Sequence, residues 1–384
     1  MSDLLWPGDA RSGDLCTDAS VLAALLRVES AWLTAIAATR PGAEDLSGLA
    51  GPDDLPALAV AAEDGGNPVI PLLALLRDRL GDDPRAQHLH RGLTSQDVLD
   101  TALVLCLRDA AARLREDLGE QIGALAGLAG RHRHTEMAGR TLTQHATPIT
   151  FGLKAAGWLQ GVLDARDVLD AAADLPAQLG GAAGNLAAVV AAFGSTDPVK
   201  RLAAELALPL RAPWHTGRAP LTRFGDALVT CTDAWGRIAA DVLTLARPEI
   251  GELSLARSGG SSAMPGKRNP ALAVLVRRAA LAGPPLAATL HTAAATMVDE
   301  RADGAWHVEW ATLRTLARRT VAAGSQTAEL LAGLRVDEGR MAATLAAARP
   351  GIDAEQRKYT APGGPYRGAT DEIIDAALER AGEK

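Results

Sequence analysis

Between Asp97 and Gly130, apolar side chains fall at Leu107, Ala111, Leu114, Leu118, Ile122, Leu125 and Ala129. Spacings of three and four place them all on one face of a continuous α-helix. Segments at about 148–174, 221–248, 270–298 and 305–333 have the same character. At ~1.5 Å per residue, each of the five runs roughly 40–50 Å. Ala and Leu, the strongest apolar helix formers, dominate a chain of 384 residues with only 3% aromatics, so the fold class is all-α, an elongated bundle of long helices. Thin helices of that length have a poor ratio of core to surface unless they pack against copies of themselves, so a homo-oligomer is expected.

On either side of the bundle the pattern changes. The first part of the chain reads as short helices, Ala19–Ala38, Leu55–Ala62 and Val69–Leu80, punctuated by Pro41-Gly42, Gly65-Gly66-Asn67-Pro68 and Gly81-Asp82-Asp83-Pro84. The last fifty or so residues, from about Val336, hold RPG and APGGP turns and a final short helix. Three blocks are expected: 1–96, 97–335 and 336–384. The uncharged stretch Ala279–Val298 is about as long as a membrane span, but it holds Pro284-Pro285, His291 and several Thr and Ala, so a buried bundle helix is expected. Cys16, Cys106 and Cys231 lie far apart without a CxxC pair and sit in apolar helical pattern, which suits core positions and a reducing compartment. The N-terminus carries acids where a secretion signal needs cations, and a net charge of −7 without a basic run gives no nucleic-acid footprint. A cytoplasmic location is expected.

Three segments at helix ends carry the polar chemistry. His90-Arg-Gly-Leu-Thr94-Ser95-Gln96-Asp97 opens the first long helix. Ser95 or Asp97 suits a helix N-cap, and the same hydroxyls and amides suit a carboxylate or other anion. Gly139–Pro148, GRTLTQHATP, leads into the second long helix, with Pro148 in its first turn. Thr141, Gln144 and His145 precede that helix start and suit an oxyanion, although a histidine here also suits a structural role. In Gly259–Pro270, GGSSAMPGKRNP, two glycines give flexibility, Ser261 and Ser262 offer hydroxyls, and Lys267 and Asn269 add a cation and an amide.

The three segments are rich in carboxylate donors and poor in nucleophile machinery. The chain has no GxSxG elbow, no HExxH or Cys/His metal spacing, and no GxGxxG or GxxxxGK[ST] phosphate loop, so no metal or cofactor is expected. Such donors suit an enolate-like dianion, formed when a proton leaves carbon next to a carboxylate. A serine held by backbone amides and Lys267 is a candidate base.

GSSAMPGKRNP resembles the GSSxMPxKxN loop of the fumarase/aspartase superfamily, which includes adenylosuccinate and argininosuccinate lyases. HRGLTSQDVLDT (His90–Thr101) and GRTLTQHATPITFG (Gly139–Gly152) resemble that superfamily's other two characteristic segments, in the same order and spacing. The resemblance spans almost the whole chain. It implies three domains, a central five-helix bundle and a homotetramer whose active sites are shared between subunits; the region after Val336 is shorter than the family's third domain. Within the superfamily, Asn67-Pro-Val-Ile-Pro-Leu, TSQDVLDTAL, TFGLKAAGW, LPAQLGGAAG (Leu175–Gly184), PWHTGR (Pro213–Arg218) and especially ERADGAWHVEW (Glu300–Trp310) are most similar to bacterial 3-carboxy-cis,cis-muconate cycloisomerases.

Two positions depart from the lyases. Their segment matching Gly139–Pro148 reads RTHxQ, and its His pairs with a Glu a few residues past KxNP. The matching positions here are Leu142 and Val274. Losing one member alone would strand a buried polar group, whereas losing both is chemically coherent. Cycloisomerases also lack the pair, because the nucleophile is a carboxylate of the substrate itself.

The resemblance then implies attack of one substrate carboxylate on a conjugated double bond, giving 4-carboxymuconolactone. It makes Ser261 the proton carrier and His90 an orienting group. Thr94, Ser95, Thr141, Gln144, Lys267 and Asn269 are the candidate donors to the developing charge. His145, Arg218 and Arg301 are candidates either to touch a carboxylate or to support the residues that do, with Arg268 another available cation. Gly266 stands where the cycloisomerases have His. Trp306 and Trp310, one turn apart, suit packing better than substrate stacking. The alternative is a β-eliminating lyase of the same superfamily releasing fumarate from a substituted succinate such as nitrosuccinate, whose leaving group also needs no acid. A silent structural homologue, like the superfamily's lens crystallins, is a further reading; Ser261, Lys267 and Asn269 argue against it. The expected partners are a small polycarboxylate substrate and copies of the chain, with neither nucleic acid nor membrane.

Overall fold

The computed structural model describes residues 3–37, 44–361 and 366–382. The turns expected at Pro41-Gly42 and in APGGP, and the last residue of the first expected helix, Ala38, fall wholly or partly outside them. The helices are α1 (Asp18–Ala37), α2 (Leu55–Gly65), α3 (Val69–Leu80), α4 (Arg85–His88), α5 (Ser95–Arg131), α6 (Phe151–Ala172), α7 (Ala187–Phe193), α8 (Asp197–Glu205), α9 (Ala219–Leu245), α10 (Ala271–Ala295), α11 (Ala305–Ala332), α12 (Glu338–Gln356) and α13 (Thr370–Gly382). The strands are β1 (Glu136–Thr141), β2 (Gln144–Thr150), β3 (Leu253–Leu255) and β4 (Leu334–Val336). The fold is all-α in class. The five long segments read from periodicity are α5, α6, α9, α10 and α11, and Val69–Leu80 matches α3 to the residue.

The chain divides into two compact units. The first comprises Met1–Arg113, Leu169–Leu228 and Pro284–Arg319. Its core holds Trp32, Leu72, Leu76, Val98, Leu105 and Phe224, all buried. Here α1 packs on α8, and α2 on α3. The N-terminal turn is fastened to α11 by Arg318, which pairs with Asp9 at 2.7 Å and donates to the carbonyls of Gly13 and Leu15.

The second unit comprises Leu114–Val168, Val229–Gly283 and Thr320–Lys384. Its core is built around Phe151, Trp158 and Trp235. Each indole meets a polar partner, as a buried N–H requires: Trp158 Nε1 donates to Asp241 at 2.8 Å, and Trp235 Nε1 to Gln121 at 2.6 Å. α12 covers the β1–β2 hairpin through Leu345 and Ile352. α13 is tied down by Arg380, which reaches Gln160 and the carboxylates of Asp164 and Asp167, and by Arg133 on Asp371 and Asp375.

Two expectations are corrected. The segment Gly139–Pro148 is not the run-up to a helix but most of an antiparallel hairpin, in which Pro148 opposes Ala138 and α6 starts only at Phe151. A two-stranded hairpin has free edges, and there a proline's missing N–H is tolerated. The second correction concerns α10. It runs through Pro284 and Pro285 as a helix, but only 28% of its most apolar window is buried within the chain, and Leu281 is 70% exposed. By length and composition alone, both α1 and α10 reach the span of a membrane.

Cys16, Cys106 and Cys231 are free and buried, in keeping with core positions. Burial pushes the Cys16 thiol up to about 11 and those of Cys106 and Cys231 to about 12. All three should therefore resist alkylation of the folded protein at pH 8 and react once it is denatured, which a mass count of added groups checks. The unfolded chain releases these protons near pH 9.0 and the folded one does not. The thiol contribution to stability is thus complete below that pH and is lost as pH rises towards 11 to 12, at about 1.4 kcal/mol per unit and thiol. Denaturant melts of wild type and a Cys→Ala series measure this slope.

Helix packing in the second unit makes a further prediction. A Cβ on Gly236 of α9 would lie 2.5 Å from the Ala280 Cβ of α10, well inside the ~3.5–4.0 Å at which carbons pack. Gly→Ala in a helix normally gains roughly 0.5–1 kcal/mol, but overpacking costs about 1–3 kcal/mol, so the clash decides the sign. Gly236→Ala should lower the thermal midpoint. Gly123→Ala on α5, where an added Cβ meets nothing within 4 Å, should raise it.

Candidate active site

The candidate residues fall into two groups, one in each unit. In the first unit they gather where α5 begins. Thr94 occupies the N-cap position, one residue before the expected Ser95, which is the first residue of the helix. Asp97 stands at the third helical position and its Oδ2 accepts the Thr94 N–H at 3.1 Å, the returning half of a capping box. That carboxylate does more than cap. It also accepts the backbone N–H groups of Gly180 and Gly181 at 2.8 and 2.9 Å, and lies 3.0 Å from His215 Nε2. The other ring nitrogen of His215, Nδ1, is buried without a hydrogen-bond partner.

Thr94 and Arg301 are brought together: Arg301 Nη2 donates to the Thr94 hydroxyl at 2.5 Å and to the Ala182 carbonyl at 3.1 Å. Arg301 Nε is buried with no hydrogen-bond partner. His90 sits four residues before Thr94 with a φ of 62°, a left-handed conformation that costs a non-glycine residue roughly 1–2 kcal/mol. Its Nδ1 lies 2.6 Å from Oε1 of Glu29.

Of the two places open to Arg218, the structure gives it the indirect one. Its side chain is fully buried and donates to Asp100 at 2.6 Å and to Glu309 at 2.6 Å. It reaches the carbonyls of Trp214 and His215, and its guanidinium lies 4.8 Å from the Trp214 ring. Burial works against its charge, but the two carboxylates outweigh burial and raise its pKa; burial also pushes the Glu309 carboxyl up, against the pull of Arg218. With its donors committed to two carboxylates, Arg218 has no edge to offer a substrate and acts through the network instead. Trp306 joins it, donating from Nε1 to Asp100 at 2.9 Å, and packs edge-on against Trp310 at 4.7 Å.

In the second unit, the β1–β2 turn is Leu142-Thr143, both with positive φ (48° and 70°). Turns of this kind match strand twist but usually employ Asn or Gly. Arg140 braces the hairpin with two bonds, of 3.0 and 2.7 Å, to the fully buried Glu252. A bulge next to Gly139 brings the strands so close that a Cβ there would stand 2.6 Å from the Thr147 carbonyl. Thr141, Gln144 and His145 are consequently presented on an exposed tip. Leu142 is 96% exposed and Val274 51% exposed, so within the chain neither occupies the buried site assumed for a charged pair.

The loop 259–269 is closed at its neck by two backbone bonds of 2.8 Å between Gly259 and Asn269. The Asn269 amide donates to the Gly260 carbonyl at 2.9 Å and so helps to secure the loop, which uses one of its two N–H groups. Ser261 Oγ accepts the N–H groups of Met264 at 3.0 Å and Ala263 at 3.3 Å. Two amide donors on one hydroxyl oxygen stabilise its deprotonated form, the property a serine base or proton carrier needs. Gly266 has a φ of 82°, which suits glycine and not a side chain. Lys267 and Arg268 project into solvent.

Sequence reading did not find Glu29, Asp100, His215 or Glu309. Their ion-pair partners lie 61 to 118 residues away in the chain, and nothing local signals a pairing over that distance. Among the described residues, no three His, Cys, Asp or Glu side chains converge as a metal site.

Comparison with known proteins gives this geometry a setting. A family model described as "Lyase" matches residues 73–282. The chain is 46% identical over 348 positions to a nitrosuccinate lyase of Streptomyces davaonensis, an alignment covering 86% of this chain and 73% of that one. It is 38% identical over 399 positions to a 3-carboxy-cis,cis-muconate cycloisomerase of Bradyrhizobium diazoefficiens, covering 99% and 87%. The crystal structure of the 3-carboxy-cis,cis-muconate lactonizing enzyme of Pseudomonas putida superposes with a TM-score of 0.81 at 31% identity, covering 98% and 87%. On the serine loop, the capped start of α5 and these matches along nearly its whole length, the chain belongs to the lyase family of the fumarase/aspartase superfamily.

Proposed function

We propose that the protein is an intramolecular lyase that closes 3-carboxy-cis,cis-muconate to 4-carboxymuconolactone. One substrate carboxylate oxygen adds to the conjugated double bond. The displaced electron pair gathers on another carboxylate as an enolate-like dianion, and the adjacent carbon takes its proton from Ser261, which is reprotonated by solvent. Arg301 and Thr94 are candidate holders of one carboxylate; Thr141, Gln144, His145, Lys267 and Arg268 offer further donors. The observation that carries this reading is the hairpin tip. Where lyases of the superfamily place a histidine, the chain has Leu142, and its Glu partner's position is Val274. A reaction whose nucleophile belongs to the substrate has no amine or hydroxide to protonate. The 38% identity to a cycloisomerase over 99% of the chain supports it further.

A second reading is favoured by a separate observation, the 46% identity to a nitrosuccinate lyase. Nitrite is a weak base, and its elimination likewise requires no acid. Ser261 would then remove the carbon-bound proton instead of supplying it.

Purified protein offered 3-carboxy-cis,cis-muconate should consume its diene absorbance; fumarate and nitrite release from nitrosuccinate, without diene loss, would overturn the cycloisomerase reading in favour of the second. Ser261→Ala should lower kcat by roughly 10²- to 10⁴-fold, the range of general acid–base catalysis, with the circular dichroism spectrum unchanged. Unaltered turnover would remove Ser261 from its role.

The proposal includes a homotetramer with active sites shared between subunits. Its support is α10, an apolar helix with little burial in the chain and a 70%-exposed Leu281. An exposed apolar face of this kind marks an association surface. The buried free thiols suit the cytoplasm, where the proposed substrate is consumed in aromatic catabolism. Light scattering should give four times 39.7 kDa, about 159 kDa, and Leu281→Glu should shift the distribution to smaller species. A mass of 39.7 kDa for the wild type would refute the assembly.

A further inference from the structure

Glu29 is the side chain in the first unit whose burial most needs an explanation. It lies on α1, is fully buried, and its Oε1 is 2.6 Å from His90 Nδ1. Its second oxygen, Oε2, is buried without a partner. Taking a carboxylate out of water costs several kcal/mol after relaxation, and a single contact does not recover it (on the order of magnitude of buried ion pairs generally).

Anchoring the loop does not require that cost. The same face of α1 already holds it through Trp32, three residues on, whose Nε1 donates to the Arg91 carbonyl at 3.1 Å. Gly92 packs directly against Val189, where an added Cβ would stand 3.1 Å from Cγ2. A neutral amide at position 29 would complete the anchoring at lower cost. What a carboxylate adds is control of the imidazole. It only accepts, so His90 must present Nδ1–H to it, and the hydrogen bond on one ring nitrogen determines what the other offers. The left-handed backbone at His90 is a second sign that this ring is held in a demanding orientation.

We propose that Glu29 is a positioning residue for His90: its buried carboxylate holds Nδ1–H inward and leaves Nε2 as the ring nitrogen that meets the substrate's carboxylate-bearing carbon skeleton. The role of the substrate in this statement rests on the proposed function; the state of the ring does not. Positions 29 and 90 are then one unit in function, although 61 residues apart. Removing the charge should leave the fold at least as stable, because the half-satisfied carboxylate is itself destabilising, while turnover falls.

The test is Glu29→Gln in the full chain, assayed with whichever of 3-carboxy-cis,cis-muconate and nitrosuccinate the wild type converts. The expected result is a fall in kcat of roughly 10- to 100-fold, the scale of a displaced reacting geometry, with KM changed less than threefold and the thermal midpoint kept or raised. A wild-type kcat in the folded variant would overturn the proposal. Magic-angle-spinning NMR of sedimented protein labelled with ¹⁵N-histidine supplies a reading independent of substrate, with His90 assigned by the signal lost in His90→Asn. Wild type should show a protonated Nδ1 that Glu29→Gln loses or mixes; an unprotonated Nδ1 in the wild type, or an unchanged ring in the variant, overturns it. If the wild type converts neither substrate, the proposed function fails, and the NMR result still decides the assignment of Glu29.

Discussion

One guanidinium organises the first unit. Arg218 lies between the carboxylates of Asp100 on α5 and Glu309 on α11, all three side chains at most 1% exposed. Two anions against one cation is an expensive arrangement to bury, and it persists because the remaining lone pairs are answered. Trp306 and Gln96 donate to Asp100 at 2.9 and 3.2 Å, and Arg218 Nε reaches both oxygens of Glu309. Breaking such a pair by removing one partner costs roughly 3–5 kcal/mol, because the charge left behind stays buried. The network therefore fixes the ends of α5, α9 and α11 in that unit more firmly than apolar packing alone, which tolerates sliding.

What those fixed ends support is a set of loops that the chain would not adopt unaided. The α5 cap, the Gly180-Gly181 turn and His215 all meet at the Asp97 carboxylate, one helical turn from Asp100. A carboxylate with four such donors sets the geometry of three separate stretches of chain at once. The second unit repeats the idea on a smaller scale: Glu252 receives Arg140 and steadies a hairpin whose two-residue turn is strained, and paired backbone bonds at Gly259 and Asn269 close the neck of the serine loop. In both units the polar interior constrains the loops that carry the candidate chemistry.

This division also explains how much of the structure is legible in the sequence. Helices announce themselves through spacing, so α5, α6, α9, α10 and α11 were legible from apolar periodicity, and the serine loop from its glycines, serines and cations. The hairpin was not, because Leu142-Thr143 lacks the Asn or Gly that normally marks a turn with positive φ, and Pro148 reads locally as a helix start. Nothing local decided between the two roles open to Arg218, because its carboxylate partners lie 91 and 118 positions distant. Nothing in KRNP says that the Asn269 amide turns back to Gly260. Local pattern determines elements; the satisfaction of buried charge is settled only by the tertiary fold.

The apolar hairpin tip bears on the class of reaction the proposed site accommodates. An acid is needed where the departing or attacking atom would otherwise carry unstabilised charge, as an amine or a hydroxide would. Leu142 itself can deliver no proton, so in the proposed reaction the bond being made or broken involves a weakly basic group, a carboxylate oxygen or nitrite. The proton moving at carbon remains, and the two backbone N–H groups on Ser261 Oγ are suited to it in either direction. Ring closure and nitrite elimination therefore demand the same protein groups. They differ in the shape of the carbon skeleton and in whether Ser261 starts the cycle with its proton or without it.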